Sequence, residues 1–150
     1  MTDDFQNMLR DIGNEYRDVL WRLNDSKIIH VSLDEVIEIN KYVHNVGRGR
    51  FGIRDRNLLE SAVMSVQQAE VYAPQKSVED LGLVLMSHLI KNHPFIDGNK
   101  RTGTMAFLVF CRLNGVLRQF DHDDLVKTAE TLAIEKLAET AGISHDRDSR

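Results

Sequence analysis

The sequence predicts an all-α fold, a helical bundle around one central buried helix. Three observations carry this. Apolar residues recur at helical spacing through most of the chain, and very little of it reads as strand. One run, residues 101–114, is apolar almost all round (Met105, Ala106, Phe107, Leu108, Val109, Phe110, Cys111, Leu113), the pattern of a helix enclosed by others. A length of 150 residues with 42% apolar content suits a single domain with one core.

The elements follow in order. Phe5, Met8, Leu9, Ile12, Tyr16, Val19, Leu20 and Leu23 predict an amphipathic helix over residues 4–24, with a short extended link at 27–31. This N-terminal unit, residues 1–30, precedes a main domain at 31–142. Ser32-Leu33-Asp34-Glu35 has the form of a capping box and starts a helix reaching about residue 45. Gly47, Gly49 and Gly52 then exclude a stable helix, so residues 46–54 are expected as a loop or small hairpin. Asp55 or Asn57 caps a helix carrying Leu58, Leu59, Ala62, Val63, Val66 and Ala69. Ser77, with Asp80 three residues on, starts the next, and Pro94 ends it because the residue before a proline leaves α space. The buried helix follows and stops at Asn114-Gly115. A short extended piece at 116–120 leads to a last helix at about 123–140, and residues 143–150 form a polar tail expected to be disordered.

Composition narrows the function classes. A net charge of −4 argues against a nucleic-acid partner. Cys111 is the sole cysteine, so no intramolecular disulfide forms and a reducing, cytoplasmic setting is expected. Met1-Thr2-Asp3-Asp4-Phe5 lacks the apolar core of a signal peptide. No apolar run approaches the roughly 20 residues that cross a bilayer, so no membrane partner is expected.

The most informative stretch is His93-Pro94-Phe95-Ile96-Asp97-Gly98-Asn99-Lys100-Arg101-Thr102-Gly103. It joins two helices by a tight turn and feeds the buried one. Unpaired N–H groups at the start of such a helix favour an anion. Gly98 allows close backbone approach, Asn99 offers an amide donor, Lys100 a mobile cation, and Arg101 a fork for two phosphate oxygens. Asp97 is a hard oxygen ligand suited to Mg²⁺ bridging the same phosphates. His93 carries an imidazole and is a candidate base toward a hydroxyl. Phe95 is the candidate loop anchor. Together these are the parts of an ATP-dependent transfer to a hydroxyl. The plainer readings are a surface His before Pro, an Asp-Gly turn and solvated cations; the register of all the parts ahead of a buried helix weighs against them.

His-Pro-Phe-x-Asp-Gly-Asn-Lys-Arg at 93–101 resembles the signature of the Fic/Doc (Fido) family. Gly52-Ile53-Arg54-Asp55-Arg56-Asn57-Leu58-Leu59-Glu60-Ser61-Ala62, and Leu108-Val109-Phe110 with Leu113-Asn114-Gly115, resemble its death-on-curing (Doc) branch. The likeness covers about residues 30–140 and does not place the first helix. It implies a helical Fic/Doc-like fold with a short flap and Mg-ATP as co-substrate. In that pattern His93 activates a Ser or Thr hydroxyl on a protein target, and Asp97 binds Mg²⁺. Gly98, Asn99 and Lys100 form the anion hole, and Arg101 holds phosphate. The flap, with Arg50, Phe51, Gly52 and Ile53, docks the target. Most AMP-transferring relatives carry Gly at the position of Lys100 and a second Arg at that of Thr104. These departures favour the Doc-type transfer of a terminal phosphate, to a translation factor in that branch, over AMP transfer. The Ser/Thr-x-x-x-Glu-Gly/Asn inhibitory helix of many relatives has no match; Thr131 with Glu135-Lys136 comes nearest. The resemblance therefore implies restraint by a separate antitoxin protein. A rival from another class is a non-catalytic module that binds nucleotide or a partner.

Other residues read more plainly. Arg48, Arg50, Arg54 and Arg56 suit either a solvated loop or a surface for an acidic or phosphorylated partner or nucleic acid. His88 is expected at a core edge, and Trp21 in packing. His122-Asp123 lacks the further spaced ligands of a metal phosphohydrolase, and His30 and His44 carry no pattern.

Overall fold

The computed structural model describes residues 28–47 and 49–140. The expected helix at 4–24 with Trp21, and the tail, lie outside these. Five helices are described: α1 (Leu33–Val46), α2 (Arg56–Tyr72), α3 (Val78–Asn92), α4 (Asn99–Leu113) and α5 (His122–Thr140).

Local chemistry sets the helix starts. Ser32 accepts from the Glu35 amide at 3.1 Å while the Glu35 carboxylate accepts from the Ser32 amide at 3.0 Å, a complete capping box. Asp55 rather than Asn57 caps α2, accepting from Leu58 N at 3.0 Å. Ser77 caps α3 through the Asp80 amide at 3.1 Å. α3 ends at Asn92, and His93 takes a left-handed conformation at φ 52°, ψ 53°. The clash between the Pro94 ring and a preceding α residue accounts for that break.

α4 is the centre of the bundle, with α3 its most extensive partner, α1 and α5 against other sides, and α2 packed on α3. Met105, Ala106, Val109, Phe110, Cys111 and Leu113 of α4 are buried. The α3–α4 approach is close because it is made at glycines. A Cβ on Gly103 would lie 2.9 Å from Ile90 Cγ1 and 3.2 Å from the Met86 carbonyl oxygen, and one on Gly82 would lie 2.9 Å from Phe107 Cδ1.

The turn after α4 lies at residues 114–115, and the connection at 116–120 is irregular backbone with one bend: Val116 N donates to Cys111 O at 2.9 Å, and Arg118 forks onto Glu79 at 2.8 and 2.9 Å. Asn114 pins the 28–31 link, accepting from Ile29 N at 2.7 Å and donating to Ile29 O at 2.8 Å. Of the two forms expected for the glycine-rich flap, loop or small hairpin, its described residues take the loop. It pairs with the 93–101 turn through one isolated antiparallel bridge, Ile53 to Phe95. Two strands of a hairpin need facing ladder partners, and here the flap's hydrogen bonds go to that turn.

Candidate active site

The site is the turn between α3 and α4, with the flap along one side and the end of α1 beneath it. Phe95 is 0% exposed and belongs to the core, so the turn is anchored by one ring. That burial is worth about 2–3 kcal/mol. Pro94 is buried too, and its carbonyl accepts from Arg54 N at 2.7 Å and Asp55 N at 3.0 Å. Ile96 N returns a bond to Gly52 O at 2.9 Å. Backbone thus laces flap to turn at both ends of the Ile53–Phe95 bridge.

His93 is exposed at the rim, directly after the last residue of α3. A β-carbon in left-handed space carries strain, and such residues collect at functional sites. The Arg54 side chain holds this conformation: Nε donates to His93 O at 2.7 Å and Nη2 to Asn92 O at 3.0 Å. A cation on the last carbonyls of a helix is also favourable for its dipole. Arg54 is therefore a clamp on the motif, not part of a partner-facing arginine surface. Arg56 is paired with Glu60 at 3.2 Å.

Asp97 is exposed, and its Oδ2 accepts from the flap amide of Arg50 at 3.2 Å. Gly98, at φ 78°, is the N-cap of α4 and makes no side-chain cap hydrogen bond. Lys100 and Arg101 are exposed in the first turn of α4, which contains no acidic residue. The Arg101 guanidinium lies over Gly47, where an added Cβ would overlap Nη1. Phe51 is 44% exposed, with Lys41 Nζ 5.3 Å from its ring centre.

Asn99 requires a correction. Its side chain is 5% exposed and turned inward: Oδ1 accepts from Phe95 N and Nδ2 donates to Phe95 O, both at 3.0 Å. The side-chain amide closes the turn and is not an outward donor.

Three supporting residues escaped the sequence reading. Asn40, on α1, is 0% exposed; its Nδ2 donates to Asp97 O at 3.1 Å and to Thr102 Oγ1 at 2.9 Å. His44, one turn later, places Nε2 3.2 Å from the same Asp97 oxygen. Thr102 is 0% exposed behind the turn. A polar Asn40 on the same face as Val36, Ile39 and Val43 was the one available signal. His88 bonds Val84 O of its own helix at 2.8 Å, and no group of three His, Cys, Asp or Glu that could hold a metal occurs among the described residues. No described helix is long and apolar enough to cross a membrane.

These features define a helical domain with a backbone-lined turn, cationic at a helix start and edged by an imidazole. A model described as the Fic/DOC family matches residues 30–111, and the chain belongs to that family. A relative named Toxin Doc, from Mycolicibacterium smegmatis, is 38% identical over 86 residues, 56% of this chain and 64% of the relative's length. Both comparisons support the all-α Fic/Doc fold and the Doc branch read from the motif.

Proposed function

We propose that the chain is a Doc-like toxin that transfers the terminal phosphoryl group of Mg-ATP to a Ser or Thr hydroxyl of a protein target. One observation carries the reading. α4 begins with no side-chain cap and no acid, and places Lys100 and Arg101 in its first turn. Cations there oppose the helix dipole, and an anion seated between them and the backbone amides turns that opposition into attraction. A phosphate chain meets that demand.

The described donor set suits magnesium that arrives with nucleotide. Asp97 offers one carboxylate, and Mg²⁺ commonly uses one or two carboxylates together with substrate phosphates. Asp97 would hold the ion, which neutralises phosphate charge when bound. The amides of Gly98 and Asn99, with Lys100 and Arg101, would hold phosphate oxygens and the charge that builds on them. His93 takes the proton from the target hydroxyl as its oxygen bonds to the terminal phosphorus. The bond from that phosphorus to the bridging oxygen breaks, and ADP leaves with the electron pair. The flap around Arg50, Phe51, Gly52 and Ile53 lies beside the turn and would align the target segment.

AMP transfer is the second reading, with attack at the innermost phosphorus and loss of pyrophosphate. Lys100 and Thr104 weigh against it, because the resemblance associates Gly and Arg at these positions with that chemistry. The Thr104 hydroxyl donates to Lys100 O at 2.8 Å, inside its own helix. A separate antitoxin is the proposed restraint. Terminally labelled and α-labelled ATP, each incubated with the protein and a cell lysate, separate the readings. Label on a protein from the terminal position alone supports phosphoryl transfer, and from the α position alone overturns it. No transfer from either, with ATP bound, leaves the non-catalytic binding module.

A further inference from the structure

We propose that Asn40 and His44 are positioning residues that aim the Gly98 amide at the phosphate. This rests on the phosphate-seat reading above and extends it from the turn to α1.

The geometry is direct. Asp97 O takes two contacts from side chains spaced i and i+4 on α1: Asn40 Nδ2 at 3.1 Å and His44 Nε2 at 3.2 Å. The carbonyl oxygen only accepts, so His44 Nε2 carries the hydrogen. Nδ1 of His44 is buried with no hydrogen-bond partner among the described residues, which leaves Asp97 as the ring's polar contact. Two donors fix the plane of the Asp97–Gly98 peptide. No peptide bond in the described residues is cis, and in a trans peptide C=O and N–H point in opposite directions. With the carbonyl held down onto α1, the Gly98 N–H must point away from α1.

The His44 ring also sets the spacing of flap and turn. It lies between two glycines. A Cβ on Gly98 would come within 3.3 Å of His44 Cε1 and Nε2, and one on Gly49 within 2.9 Å of Cε1 and 3.3 Å of Asp97 Cβ. Both glycines have positive φ, 78° and 128°, so neither position accepts a side chain without strain. The ring thus sets how close the flap lies to the Asp97 side chain, and Asn40 ties the same peptide to Thr102 at 2.9 Å.

The test uses isotope-labelled full-length protein: wild type, His44→Leu and His44→Gln. Two resonances are read without ligand, the Asp97 carbonyl carbon and the Gly98 amide. Mg-ATP affinity is then measured by calorimetry. His44→Leu is expected to shift both resonances and weaken Mg-ATP about 5- to 10-fold, the scale of one lost hydrogen bond. His44→Gln, whose side-chain amide can donate at the same reach, is expected to restore the resonances and most of the affinity. A purely structural role would lower the melting temperature of His44→Leu and leave resonances and affinity unchanged, and that result overturns the proposal. So does a Gln variant that behaves as Leu does. Absence of Mg-ATP binding in the wild type overturns the phosphate-seat reading and this proposal with it. Equal binding by wild type and His44→Leu overturns this proposal alone.

Discussion

The side-chain amide of Asn99 and the backbone of Phe95 exchange two hydrogen bonds, each 3.0 Å long, across the turn of the motif. The pair closes a small ring that holds the first residue of α4 over the buried Phe95. Asn99→Ala leaves the Phe95 N–H and C=O unpaired in a buried place. The expected loss is about 1–3 kcal/mol in urea unfolding. Asn99→Asp keeps the acceptor but sets a carboxylate oxygen against Phe95 O, so it is expected to be the less stable of the two.

His93 stands exposed in left-handed backbone, and its proposed part is proton removal from the target hydroxyl. His93→Ala is expected to cut phosphoryl transfer about a hundred- to ten-thousand-fold and to leave Mg-ATP affinity nearly unchanged. Single-turnover transfer with labelled ATP, beside calorimetry, measures the split. Parallel loss of both would assign His93 to nucleotide binding.

Arg54 donates to the last two carbonyls before Pro94, at 2.7 and 3.0 Å. Arg54→Met keeps the aliphatic stem and removes the clamp. It is expected to lower stability by about 1–2 kcal/mol and to reduce transfer as well, since His93 loses the contact that holds its backbone. Unchanged transfer in a destabilised variant would limit Arg54 to the fold.

Gly103 marks where α3 and α4 touch. An alanine Cβ there meets Met86 O at 3.2 Å, and a backbone atom does not move aside. Gly103→Ala is expected to cost about 1–3 kcal/mol, read as a lower unfolding midpoint.

Cys111 tests the core by pH. Burial, with a smaller contribution from the Glu79 charge and against that of Arg118, pushes its thiol from the ordinary 9.0 up to about 12. The folded chain holds the proton where the unfolded chain releases it. This contribution to stability is full below pH 9 and declines as pH rises from 9 toward 12. Cys111→Ser or Cys111→Ala should lose that part of the alkaline decline. In the native protein, thiol reagents at pH 8 are expected to react only at the rate of opening.

Much of this molecule was legible in its sequence. Helix starts at Ser32, Asp55 and Ser77, the break at Pro94 and the burial of the apolar run Met105–Cys111 follow from caps and periodicity that act within four residues of chain. The motif named the exposed groups of the site in the same way, since His93, Asp97, Lys100 and Arg101 lie along one turn. Tertiary structure decided what holds that turn. The clamps reach across 57 positions from Asn40, 53 from His44 and 39 from Arg54, and no local pattern encodes such pairings. It also turned Asn99 inward and laid the flap along the turn through the Ile53–Phe95 bridge. A buried polar group must find its partner wherever packing brings one, and which partner that is becomes fixed only when α1, the flap and the turn meet.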